Sequence, residues 1–145
     1  MTSENIRKLK SCGVIVMQLQ PQMSFLLLRY PDRYDLPKGH IELGEDELTC
    51  ACRELFEETG IQSHDIEIDP YFRFTDVYQT RYKLHPGEII EKTLVIFLGV
   101  LKQEVNIRLS GHSDYLWMEW HPPHNIQEKT INPLLTQLQK YLTEK

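Results

Sequence analysis

Glu54, Glu57 and Glu58 stand at i, i+3 and i+4, so in a helix their carboxylates share one ridge with Cβ atoms about 5–6 Å apart. Three like charges so placed repel one another, and a helix gains nothing from them unless something positive sits between them. A solvated acidic face is the plain reading of such a run. A hard divalent cation held by oxygen ligands is the chemical one. Arg53 adjoins the ridge, and Glu45 lies two turns earlier, near the expected helix start, where an anion is favoured and can pair with that arginine. On the other side Leu48, Ala51, Cys52, Leu55, Phe56 and Thr59 recur at the spacing of a buried stripe. One face therefore belongs to a core, and the other is either solvated or holds a cation. Gly60 fits the left-handed position that ends a helix.

The full stretch from Gly39 to Ile61 reads G-H-I-E-L-G-E-D-E-L-T-C-A-C-R-E-L-F-E-E-T-G-I. Gly39, Glu45 after five residues, Arg53-Glu54 after seven more, then Glu57-Glu58 and Gly60 resemble the Nudix box at every specified position. The resemblance implies metal binding by Glu54, Glu57, Glu58 and the main-chain carbonyl of Lys38, with Glu45 and Arg53 as an orienting pair. It implies attack of water on a phosphorus of a nucleoside diphosphate linked to another group, with Mg²⁺, or Mn²⁺ in its place, neutralising phosphate oxygens and lowering the pKa of bound water.

Other segments resemble the asymmetrical diadenosine tetraphosphate hydrolases of that family. These are Pro37-Lys38-Gly39-His40, F-R-F-T-D-V-Y from Phe72 to Tyr78, and K-T-L-V-I-F-L from Lys92. The likeness implies that Tyr78 stacks on adenine and that Lys92 meets phosphate; Lys38 and His40 are also placed to reach polyphosphate oxygens. Residues 75–88 are expected to form a polar loop that gathers Tyr78, Arg81, Tyr82 and Lys83, stacking surfaces and cations suited to a nucleotide. In R-L-S-G-H-S-D-Y-L-W, from Arg108, His112 matches a family histidine, whereas Gly111 falls where the family carries a glutamate. The expected general base is then a box glutamate, Glu54 or Glu57, with Asp114 as the alternative. The implied reaction gives ATP and AMP from diadenosine tetraphosphate. Rival substrates are ADP-ribose, a nucleotide sugar, an inositol pyrophosphate and an RNA 5′-triphosphate end. A nucleotide sensor without catalysis is the rival from another class.

The elements that must position these residues follow from periodicity. Residues 9–19 and 25–30 read as strands joined by a hairpin connection at 20–24. Residues 66–74 alternate apolar and polar, and 89–101 form the most apolar strand, expected to be central. Tyr115, Trp117 and Trp120 suggest a further strand. Asn132 is the expected N-cap and Pro133 the first residue of a second helix, with Leu134, Leu135, Leu138, Tyr141 and Leu142 as its stripe. The fold class expected is α/β, a Nudix α/β/α sandwich with a mixed β-sheet between the box helix and a C-terminal helix, as one domain over residues 1–145.

Composition narrows the rest. The 145 residues suit one domain with a real core. No apolar run long enough to span a bilayer occurs, so no membrane partner is expected. A net charge of −5 argues against an extended nucleic-acid footprint but not against a phosphate substrate, because bound cations reverse the local charge. Cys12, Cys50 and Cys52 read as reduced thiols and the expected location is cytoplasmic. The partner expected is a small nucleotide, and the state a monomer, with a dimer as the alternative.

Overall fold

The computed structural model describes residues 5–81, 88–111 and 114–144. In chain order these form β1 (Asn5–Gln18), β2 (Ser24–Arg29), β3 (Tyr34–Asp35), β4 (Lys38–His40), α1 (Glu47–Thr59), a 3₁₀ turn (Ser63–Asp65), β5 (Ile66–Arg81), β6 (Glu88–Leu101), β7 (Asp114–Glu119) and α2 (Ile131–Thr143). The strands make one mixed sheet in the order β3-β2-β1-β6-β5, with β4 on β1 and β7 on β2. β1 and β6 run parallel from Asn5 opposite Glu88 to Met17 opposite Val100. The remaining pairs are antiparallel.

The other edge of β1 is shared, and this creates the site. Ser11–Gly13 pair with β4, while Met17 and Gln18 pair with β2. Between them the Val14 amide donates to the Pro37 carbonyl at 3.2 Å. A Cβ on Gly13 would lie 2.2 Å from that carbonyl oxygen and 2.6 Å from Lys38 Cβ, so the glycine admits the Pro37-Lys38 crossing.

Strand alternation divides the core into two layers. Cys12, Val14, Val16 and Val95 point to one face and pack with Cys50, Ala51 and Leu55 of α1. Ile15, Met17, Leu94, Ile96 and Leu98 point to the other and pack with Ile131, Leu134, Leu135 and Leu138 of α2. Each fully buried aliphatic side chain contributes about 1.5–3 kcal/mol, so both helices are held mainly by these stripes. The sandwich expected from the sequence is present.

Several local expectations are corrected. β5 does not stop at Phe74; it pairs with β6 from Arg73 opposite Phe97 to Arg81 opposite Ile89. Thr75, Val77, Tyr78 and Thr80 are good strand formers, and because this end of the strand is exposed to solvent its composition resembles that of a loop. The proline irregularity is real: register shifts between Ile68 and Arg73, around Pro70. The stripe of α1 is narrower than expected. Cys50, Ala51, Leu55 and Thr59 are buried, whereas Leu48 and Phe56 are exposed and Cys52 is half-buried. Asn132 does not cap α2, which begins at Ile131. Its Oδ1 instead accepts from the Ile126 and Gln127 amides, at 2.8 and 3.0 Å. The three cysteines are free, and no helix among the described residues is long and apolar enough to cross a membrane.

Candidate active site

The carboxylate ridge is fixed at both ends of α1. Asp46 caps the N-terminus by accepting from the Thr49 amide at 2.8 Å. Gly60, at φ 79°, closes the C-terminus by donating to the Phe56 carbonyl at 2.8 Å. Between these ends the side chain of Arg53 organises four groups. Its Nε and Nη2 grip both oxygens of Glu45, its Nη1 donates to Glu54 Oε1 at 2.8 Å, and Nη2 reaches the His40 carbonyl at 3.1 Å. Glu57 Oε2 stands 3.3 Å from the same Nη1. The Arg53 fork and the Glu42 amide hold the Glu45 carboxyl down at about 2, so it stays ionised.

Each carboxylate of the ridge has its own environment. Glu54 is 15% exposed and lies directly over Gly39, where a Cβ would come within 2.1 Å of its carboxyl carbon. Glu57 is 53% exposed and faces solvent. Glu58 accepts from the Lys38 amide at 2.8 Å. Burial lifts the Glu58 carboxyl to about 7, with nearby Glu54 and Asp35 adding to the rise and the Lys38 amide opposing it.

The donor set suits a hard divalent cation: carboxylate oxygens on consecutive turns, one of them destabilised as an anion by burial beside a second negative group. Among the described residues no three acidic, histidine or cysteine side chains already converge on one point, and the Arg53 guanidinium bonds both Glu54 and Glu57. By donor chemistry, though not yet by convergence, the residues fit the group.

Beside the ridge opens a cleft of about 870 Å³ that brings together Lys38, Tyr78 and Lys92. Tyr78 and Lys92 are cross-strand partners on β5 and β6, so ring and ammonium rise from the same face of the sheet. Tyr78 is 43% exposed. Lys38 links cleft to ridge: its Nζ lies 3.3 Å from Asp35 Oδ2 while its amide holds Glu58. His40 is exposed on β4 and is not part of the cleft lining; its carbonyl, rather than its ring, is engaged, by Arg53. Tyr82, Lys83 and His112 lie outside the described residues. Gly111, at φ 119°, has open space where a side chain would project. Asp114 accepts from the Tyr115 amide at 2.8 Å on an exposed strand end.

The cleft also holds residues that motif reading passed over: Arg33, Asp76, Gln127 and Lys129. Arg33 sits 4.1 Å over the Tyr30 ring. Gln127 and Lys129 lie far beyond the box, in an unpatterned loop just before α2, and nothing in their spacing marks them.

The NUDIX domain family matches residues 9–141. Over 122 residues the chain is 37% identical to the asymmetrical bis(5′-nucleosyl)-tetraphosphatase of Mus musculus, covering 76% of this chain and 78% of that protein. It is 29% identical over 126 residues to an RNA pyrophosphohydrolase of Ruthia magnifica, covering 79% and 70%. Among solved structures, a binary complex of a C. elegans Ap4A hydrolase superposes with a TM-score of 0.78 at 27% identity, covering 94% of this chain and 99% of that one.

Proposed function

The chain belongs to the NUDIX family, and from that premise we propose that it hydrolyses dinucleoside polyphosphates, cutting diadenosine tetraphosphate into ATP and AMP. The observation that carries this reading is the cleft itself. An aromatic face (Tyr78) and an ammonium (Lys92) are paired across two strands, and Lys38 joins them to the carboxylate ridge. A nucleoside base needs the first and a polyphosphate chain the second.

Members of this family generally depend on a divalent cation. Here Glu54, Glu57, Glu58 and the Lys38 carbonyl are the proposed ligands, with Mg²⁺ the expected ion and Mn²⁺ its substitute; the ion would neutralise phosphate oxygens and acidify water. Tyr78 stacks on the adenine, while Lys92 and the Lys38 ammonium neutralise phosphates. His40, Lys83 and His112 are further proposed substrate contacts. Arg53, fixed by Glu45, holds Glu54 beside the reacting phosphorus and limits its rotamers. A water attacks phosphorus, its proton passes to Glu54 or Glu57, and the bridging oxygen leaves with the departing nucleotide.

Incubating the protein and Mg²⁺ with diadenosine tetraphosphate, ADP-ribose, a nucleotide sugar and a 5′-triphosphate RNA, then separating the products, tests the substrate. ATP with AMP from the first is expected; cleavage of another member of the panel with the first intact overturns the reading. A second reading has two observations in its favour, the likeness to the RNA pyrophosphohydrolase of Ruthia magnifica over most of the chain and a shorter local one. A 33-residue stretch is 58% identical to the RNA pyrophosphohydrolase of Rhizobium meliloti, although it covers only 23% of this chain. Release of pyrophosphate from the RNA would support it.

A further inference from the structure

Gln127 lines the cleft, yet its side chain is spent on main-chain groups of two of the cleft's walls. Its Oε1 accepts from the Tyr34 amide at 2.9 Å and its Nε2 donates to the Tyr34 carbonyl at 3.1 Å. The side-chain amide thus imitates a strand partner for β3, across 93 residues of sequence. The same Nε2 donates to the Lys129 carbonyl at 3.0 Å. That carbonyl also accepts from the Ile131 amide at 2.8 Å, which closes a three-residue turn around Thr130. Thr130 has φ 72° and ψ −54°, the strained hand of the γ-turn and an outlier for a β-branched residue. Such a conformation persists where its surroundings over-determine it, and it concentrates at functional sites. The surroundings are present. Besides Gln127, Asn132 binds the Ile126 and Gln127 amides, and its own amide donates to the Gln127 carbonyl at 2.8 Å.

What this bracing presents is Lys129. The side chain is exposed and lines the cleft with Tyr78 and Lys92, and among the described residues no carboxylate lies within ion-pair distance of its ammonium. Tyr34 and Asp35, on the far end of the brace, lead directly into Lys38. Resting on the polyphosphate reading, we propose that Gln127 is a positioning residue, tying the wall that carries Lys129 to the wall that carries Lys38 so that the two ammonium groups grip one polyphosphate chain. A lysine on a free loop would offer the same charge at a greater entropic cost on binding, which is the cost the brace removes.

The test is a double-mutant cycle on diadenosine tetraphosphate hydrolysis. Lys129→Ala, on an exposed side chain, should raise KM about tenfold, the loss of one charge-assisted contact, with kcat within about twofold. Gln127→Ala should raise KM by a similar factor, and the double variant should be no worse than Lys129→Ala. Gln127→Glu keeps the acceptor for Tyr34 but loses both donations, and should behave as Gln127→Ala does. Additive effects, a fall in kcat at constant KM, or unchanged kinetics would each overturn the proposal. Calorimetric binding of inorganic tripolyphosphate gives a readout independent of the substrate assignment. Should the wild type leave dinucleoside polyphosphates intact, the substrate reading fails. Weaker tripolyphosphate binding by Gln127→Ala would then still support the brace, and unchanged binding would remove it.

Discussion

Gly39 and Glu54 interlock: the carboxyl of Glu54 occupies the space that any side chain at position 39 would fill, with the nearest approach of a Cβ at 2.1 Å. The box glycine is therefore a seat for a box glutamate as well as a place for the chain to bend. Gly39→Ala should push Glu54 off the position where Arg53 now holds it, while β4 keeps its pairing with β1. A displacement near 1 Å at a reacting group costs about 10²-fold, and that is the fall in kcat/KM expected. Steady-state kinetics beside a thermal melt would check it. Activity within twofold of wild type would show that Glu54 has another productive position.

Arg53 should tolerate no conservative replacement. Its fork makes two parallel bonds to Glu45 while a third nitrogen holds Glu54, a geometry that a lysine ammonium cannot reproduce. Removing a group that orients metal-binding side chains typically costs 10–100-fold, so Arg53→Lys should raise the Mg²⁺ needed for half-maximal activity by about that factor. Titrating activity against Mg²⁺ decides the matter. An unchanged requirement with reduced kcat would mean that Arg53 acts on the substrate instead.

These two residues show what was legible before the fold was known. The box specifies identities at fixed spacing, and spacing on a helix is geometry, so the ridge, the Glu45–Arg53 pair and the Gly60 cap could all be anticipated. Tyr78 and Lys92 were legible by resemblance, but their direct pairing depended on β5 continuing to Arg81. That continuation was hidden because half of β5 faces solvent and reads as polar. Phe56 shows the opposite error. It kept the helical period but fell just beyond the edge of the face that β1 covers. Gln127 gave no signal, because an isolated glutamine is identified as a brace only by the main chain folded against it.

Glu47 offers a pH prediction away from the ridge. Its carboxyl is held down to about 2, chiefly by Arg73, whose Nε and Nη2 donate at 3.0 Å, and also by Lys10 at 2.8 Å, against the opposing effect of burial. A carboxyl whose folded pKa lies below its unfolded value binds fewer protons when native. The stability it contributes is present above about 4.5 and is lost as pH falls towards 2. Partial exposure and screening reduce this to about 1 kcal/mol. Glu47→Gln should therefore lower Tm at pH 7 and show a flatter decline than wild type between pH 4.5 and 2. Parallel melting curves for the two proteins over that range would remove the assignment.

Thr130 sets stability against binding. At φ 72° a threonine costs about 1–3 kcal/mol, whereas glycine reaches the same conformation without a Cβ clash. Glycine also gives the unfolded chain more freedom, which offsets about 0.5–1 kcal/mol of the relief. The balance favours Thr130→Gly by about 1 kcal/mol, a rise in Tm of roughly 2–4 °C for a chain of this size. The three-residue turn would survive, since its bond from the Ile131 amide to the Lys129 carbonyl involves no side chain. Lys129 would nevertheless lose part of its fixed direction, so KM should rise while kcat holds. Thr130→Ala retains the Cβ and should show neither the stabilisation nor the full loss of affinity. A denaturant midpoint unchanged or lowered in the glycine variant would show that the turn is not strained, and that the Lys129 wall is held by Gln127 without opposing a backbone preference.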